Sequence, residues 1–194
     1  MHPSAYLFAS RALTERDVAG RRVVEAGAYD YNGSVRGVYE AMSPASYLGT
    51  DMQPGPGVDL VCPAEKLPAE LGEACADVVI CTELLEHAED WRGAMTGMTR
   101  VLAPGGLLLL TTRSPGFPYH PHPGDFWRFT VDHMDGIAEA LGLDVVRLEP
   151  DPDWNSPGVF LLARKPDGWD GIGMAEGLAV VEPRSAAPRT GWIG

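Results

Sequence analysis

ADVVICTELLEHAEDWRGAMTGMTRVLAPGGLLLLTT, Ala76–Thr112, reads as a strand, a helix and a second strand. The runs Val78–Ile80 and Leu107–Leu110 are apolar without alternation, the pattern of strands covered on both faces. Between them Asp90–Val101 has helical patterning. It is stopped by Ala103-Pro104-Gly105-Gly106, whose backbone restrictions end a helix and open a strand. Two parallel strands joined by a crossover helix are the repeating unit of a doubly wound sheet.

Working outward, further strands are expected at Arg22–Ala26, Tyr47–Asp51, Val58–Val61, Leu143–Leu148 and Val159–Ala163. Helices are expected at Ala5–Val18, Ser34–Ala41, Ala64–Glu73 and Val131–Ala140. The expected fold is α/β: a Rossmann-like, doubly wound, seven-stranded sheet with helices on both faces. It is mostly parallel, and an antiparallel C-terminal hairpin closes its edge across Pro150–Pro157. Residues 1–164 form this domain, with an N-terminal helical segment over 1–20. Residues 165–194 read as a Gly/Pro-rich arm with no assigned chemistry, through which a homodimer could form. Trp169 and Trp192 are large aromatics for a solvated tail.

At 194 residues the chain has room for one domain and one substantial core. Asp plus Glu number 27 against 15 Lys plus Arg, a net charge of −12. That balance argues against a nucleic-acid partner, because backbone binding needs a basic face to displace counterions. Cys62, Cys75 and Cys81 form no CxxC pair, so neither a disulfide framework nor a structural zinc site is expected. No signal-peptide pattern is visible, and no apolar run approaches the roughly 20 residues that cross a bilayer. A cytoplasmic protein without a membrane partner is expected.

Two segments read as a nucleoside site. In VVEAGAYDYNGSVRG, Val23–Gly37, a strand ends in Glu25 and turns through Gly27, where a missing Cβ lets a ligand approach the backbone. About twenty residues on, YLGTD ends a second strand in Asp51, placed to accept hydrogen bonds from a ribose diol. An ordinary strand-to-helix loop followed by a surface acid would look similar. A third strand then leads into Ala64-Glu65, and a fourth into the acidic, histidine-bearing turn TELLEH.

With these pieces in this order, the chain resembles the class I S-adenosylmethionine-dependent methyltransferases, in particular the small methyltransferase-domain group with an ExG loop and an LEH…RVLxPGG signature. The resemblance runs from about Arg22 to Lys165. It implies S-adenosyl-L-methionine as cofactor, with Glu25 and Gly27 at the methionine moiety and Asp51 at the ribose. It also implies Ala64 and Glu65 beside the adenine, and Thr82 and Glu83 at the junction with the acceptor. The loop departs from the usual ExGxGxG, because Ala28-Tyr29-Asp30-Tyr31-Asn32 follows Gly27. A pyrophosphate needs the tighter glycine-rich helix start, whereas a sulfonium cofactor carries no phosphate.

The acceptor end is expected in SPGFPYHPHPGDFWRFT, Ser114–Thr130, which follows the fifth strand. It is long for a connection and dense in aromatic, His and Pro residues. His120 and His122 are the candidate bases, with Asp125 orienting an imidazole or replacing it, and His87 is the alternative base. Tyr119, Trp127 and Phe129 are expected to wall the pocket. Arg128 would hold either an anionic acceptor or the loop itself. A divalent metal on His120, His122 and Asp125 is the alternative; the favoured reading has no metal. The expected activity is methyl transfer to a small-molecule acceptor, most simply O-methylation because the loop offers bases. The alternatives are a nucleotide-dependent oxidoreductase and a noncatalytic cofactor-binding partner subunit.

Overall fold

The computed structural model describes residues 1–121 and 124–170. His122 and the greater part of the C-terminal arm, with Trp192 and the surface expected to pair two copies, lie outside them.

Seven strands form one sheet: β1 Arg22–Ala26, β2 Ser46–Asp51, β3 Leu60–Val61, β4 Ala76–Thr82, β5 Leu102–Arg113, β6 Asp144–Pro150 and β7 Gly158–Arg164. Their order across the sheet is β3-β2-β1-β4-β5-β7-β6. The first five strands are parallel; β7 inserts antiparallel between β5 and β6. This is the Rossmann-like, mostly parallel sheet with an antiparallel C-terminal hairpin expected from the sequence. Period-two alternation splits the strand side chains between two cores. Val24, Ala26, Val79, Cys81, Leu108 and Leu110 face one, and Val23, Val78, Ile80, Leu107 and Leu109 the other.

Helices α1 (Pro3–Ala12), α2 (Glu15–Val18) and α3 (Arg36–Glu40) cover the second face; α4 (Leu67–Leu71), α5 (Trp91–Val101) and α6 (Val131–Ala140) cover the first. The N-terminal helix expected as one piece is two. Leu13 is extended, and the Asp17 carboxylate accepts from both the Thr14 N–H (2.9 Å) and the Thr14 hydroxyl (2.7 Å), which starts a new turn. The Pro-Gly-Gly turn survives as a bulge. Ala76 pairs with Leu102 and Val78 with Leu107, so residues 103–106 loop out of β5.

The start of the arm is tied down. Lys165 is buried, and its ammonium donates to the carbonyls of Thr99 (3.0 Å) and Leu102 (2.6 Å), where α5 runs out of partners. The ammonium also lies 3.9 Å from the ring centre of Trp169, whose indole donates to the Leu141 carbonyl at 2.7 Å.

Strand order reverses at β1, with β2 on one side and β4 on the other. Ligands of open α/β sheets bind beyond the carboxyl ends of strands at such a switch point. Gly27 follows β1, Asp51 ends β2 and Glu83 follows β4.

Candidate active site

A cavity of about 910 Å³ opens over those strand ends. It is lined by all seven residues expected to hold a cofactor: Glu25, Gly27, Asp51, Ala64, Glu65, Thr82 and Glu83. His87 and His120 line it as well, with Phe117 and Phe126. No helix among the described residues is long and apolar enough to cross a membrane.

Glu25, next to last in β1, is almost fully buried, its carboxylate accepting from the Tyr47 hydroxyl at 2.8 Å. Burial pushes its pKa up to about 7, although the Tyr47 hydrogen bond and Arg36 pull the other way. The folded protein therefore binds this proton more tightly than the unfolded chain. Its charged form costs stability as pH rises from about 4.5 to 7, and the cost is complete above that range. Glu25→Gln keeps an acceptor for Tyr47 and removes the charge. In urea unfolding without cofactor it should gain about 2–3 kcal/mol at pH 8 and almost nothing at pH 4.5. An equal effect at both pH values would contradict the assignment.

Gly27 has φ +80°, a left-handed conformation that glycine adopts without strain. A Cβ there would meet the Leu84 side chain at 2.6 and 2.8 Å. From sequence, Gly27→Val should block a ligand and spare the fold. The structure corrects the second half: backbone and Leu84 both resist the side chain. Asp51 is held ready, one oxygen accepting from the Gln53 N–H (3.0 Å) and the other from the Tyr29 N–H (3.4 Å).

Glu83 has φ +57°, which is costly for a residue with a Cβ. Arg113, fully buried at the end of β5, holds it in place. The Arg113 guanidinium donates to Glu83 at 2.5 and 2.7 Å and to Asp151 at 3.0 Å, also reaching the Ser156 carbonyl at 3.1 Å. Burial and the charge of Glu86 raise the Glu83 pKa, while Arg113 opposes them.

His87 and His120 line the cavity and converge with Glu86 behind them. Glu86 is wholly buried; one oxygen accepts from Thr112 at 2.7 Å and the other, Oε1, has no hydrogen-bond donor. His120 Nε2 stands 3.8 Å from that oxygen and His87 Nε2 4.0 Å. Burial alone would lower the His120 pKa, but Glu86 and Asp125 more than offset it and the net direction is upward.

The other residues expected at the acceptor end are placed elsewhere. Among those described, Tyr119, Asp125, Trp127 and Arg128 do not line the cavity. Arg128 is buried against Asp125, bonded through both terminal nitrogens, and it also donates to the Trp127 and Pro118 carbonyls. It tethers the loop, and Asp125 in turn accepts from the His120 N–H at 2.9 Å. Arg128 holds the Asp125 pKa down at about 2 against the opposing effect of burial. Trp127 donates to the Ala88 carbonyl at 2.9 Å, fastening the loop to the turn after β4. Phe129 is wholly buried edge-on to Trp91 in the core, and Tyr119 is half exposed. Phe117 and Phe126 supply the aromatic wall instead.

The donor set fits a nucleoside sulfonium and not a dinucleotide. Carboxylates ring the cavity, and no lysine or arginine is among its described lining residues. Helix α3 is only five residues long and begins nine residues beyond Gly27, so no helix start sits on the loop to hold a pyrophosphate.

The sequence model of the methyltransferase domain family matches residues 38–110, from α3 into β5. No curated protein matches the sequence. Several solved structures share the fold. The 1,6-didemethyltoxoflavin-N1-methyltransferase of Burkholderia thailandensis, with its substrate and S-adenosylhomocysteine bound, is 18% identical. That superposition has a TM-score of 0.66 and covers 84% of this chain and 79% of that one. An S-adenosylmethionine-dependent methyltransferase from Mesorhizobium loti is 18% identical at TM-score 0.63, covering 83% and 98%. A Haloferax volcanii methyltransferase in complex with its Trm112 activator is 17% identical at TM-score 0.64, covering 85% and 90%. The family match over residues 38–110, the fold and the cavity all agree with the resemblance to the class I S-adenosylmethionine-dependent methyltransferases. S-adenosylmethionine is the cofactor that this resemblance implies.

Proposed function

We propose that the chain methylates a hydroxyl group of a small molecule. The observation that carries the reading is His120, an imidazole on the cavity wall backed by the buried carboxylate of Glu86, at the end away from Asp51. A hydroxyl needs a proton acceptor before it attacks carbon, and an imidazole is suited to that near neutrality. S-adenosylmethionine supplies a sulfonium methyl group that a nucleophile displaces in line. The protein's part is alignment. Asp51 accepts from the ribose hydroxyls, Glu25 and the Gly27 loop receive the methionine end, and Ala64 and Glu65 flank the adenine. Thr82 and Glu83 stand at the junction with the acceptor, and Phe117 and Phe126 wall its ring or chain. The absence of lysine and arginine from the described lining residues favours a neutral or cationic acceptor over a phosphate or carboxylate.

Asp51→Ala removes a charged acceptor from two hydroxyls in a partly desolvated site. The loss should be about 1.5–3 kcal/mol, tenfold to somewhat over a hundredfold in Kd, for S-adenosylmethionine and S-adenosylhomocysteine alike. Titration calorimetry checks it, with NADH as the control that should not bind. Unchanged affinity in a folded variant would remove Asp51 from the site. Turnover of a panel of phenols, alcohols and amines then tests the acceptor, and methylation of amines alone would contradict the hydroxyl reading.

A further inference from the structure

His87 and His120 each present a lone pair to the same unpartnered oxygen. His87 Nδ1 lies 2.5 Å from the Gly124 carbonyl oxygen, and His120 Nδ1 lies 3.1 Å from the Pro118 carbonyl oxygen and 3.3 Å from Asp125 Oδ2. Every one of those partners is an acceptor, so each Nδ1 must carry its ring's proton. In the neutral imidazoles both Nε2 atoms are then bare. They face Glu86 Oε1, itself fully buried and without a donor. One donor atom from each of the three residues lies within 4.8 Å of the other two. Buried polar atoms are seldom left without a partner.

We propose that Glu86, His87 and His120 bind one divalent transition ion of the zinc type, with its open position toward the cavity. Two imidazoles and one carboxylate, leaving a fourth place free, are the donor set of a catalytic zinc centre; magnesium and calcium prefer oxygen alone. Donors in a closed tetrahedral site with bonds of ~2.0–2.1 Å stand about 3.3 Å apart, so the carboxylate-to-imidazole separations need to shrink by only ~0.5–0.7 Å. The surroundings are already those of a metal site, because each imidazole is oriented through its other nitrogen by a carbonyl or carboxylate. This set differs from the one the sequence offered: Asp125 is turned to Arg128, and Glu86 takes its place.

The inference rests on the methyl-transfer reading for its chemistry. An acceptor hydroxyl at the open position ionises on the cation and its proton passes to water; without the ion, His120 takes that proton itself.

The test uses the full chain, stripped with a chelator and titrated with zinc, and with cobalt followed by its visible absorption. One ion per chain is expected, with tetrahedral cobalt bands, and His87→Ala and Glu86→Gln should each weaken binding at least about 100-fold. No uptake by the wild-type chain, or equal uptake by both variants, overturns the proposal. S-adenosylhomocysteine calorimetry on the same stripped chain separates the two readings. Normal affinity without metal uptake sinks the metal site alone, whereas absent affinity sinks the cofactor site.

Discussion

Replacing Arg113 by leucine should cost about 3–5 kcal/mol of folding stability, the range for removing one partner from a buried ion pair. The guanidinium is fully buried and serves both Glu83 and Asp151, so the substitution removes the cation that both carboxylates contact. Leucine fills part of the space, and the loss is therefore chiefly electrostatic. The effect must depend on pH. The Glu83 carboxyl, already pushed up to about 7 by burial, rises further without Arg113. The variant is then least stable above that raised value and recovers as pH falls below it, where Glu83 is neutral. Urea unfolding at pH 5 and pH 8 should show the larger deficit at pH 8. A loss below about 1 kcal/mol would mean that water already reaches the pair. The expectation bears on function because Arg113 fixes Glu83 in its left-handed conformation on the cavity wall.

The second large effect is on turnover. His120→Ala should lower kcat by roughly 10²–10⁴, the contribution of a positioned proton acceptor, and leave S-adenosylhomocysteine affinity within a few-fold. That separation follows from placement: the imidazole lies at the Phe117 and Phe126 end, and Asp51 at the other. Single-turnover kinetics with calorimetry on the same variant reads both quantities. If kcat holds, the proton leaves by another route and His87 is the remaining base. If cofactor affinity falls as far as kcat, His120 belongs to the cofactor's half of the cavity.

Most of the fold was legible because strand burial writes itself into sequence. The unalternating runs at Val78–Ile80 and Leu107–Leu110 placed β4 and β5, and helix α6 falls on the residues its pattern indicated. The break between α1 and α2 was missed although its signal was present, an Asp three residues after Thr14. The cofactor half of the site was legible for a topological reason: residues just past the ends of parallel strands at a switch point must face the crevice. The acceptor half was not. Ser114–Thr130 has no regular period, so nothing in its order says that Phe117 faces the cavity while Phe129 enters the core. Arg128 and Asp125 satisfy each other three residues apart, a local pairing that composition alone cannot separate from a substrate clamp. Glu86 was passed over beside the more conspicuous His87. Only the packing of Thr112 beneath it and the loop above shows that its carboxylate is buried.

The central claim is that the nucleoside lies over β2 with its reactive sulfur toward Glu83 and His120. A crystal structure of the chain grown with S-adenosylhomocysteine tests it most directly. The account predicts both ribose hydroxyls within hydrogen-bond distance of the Asp51 carboxylate, the adenine beside Ala64 and the sulfur pointing into the His120 end. A nucleoside bound with its ribose away from Asp51, or with its sulfur turned from Glu83 and His120, would contradict it.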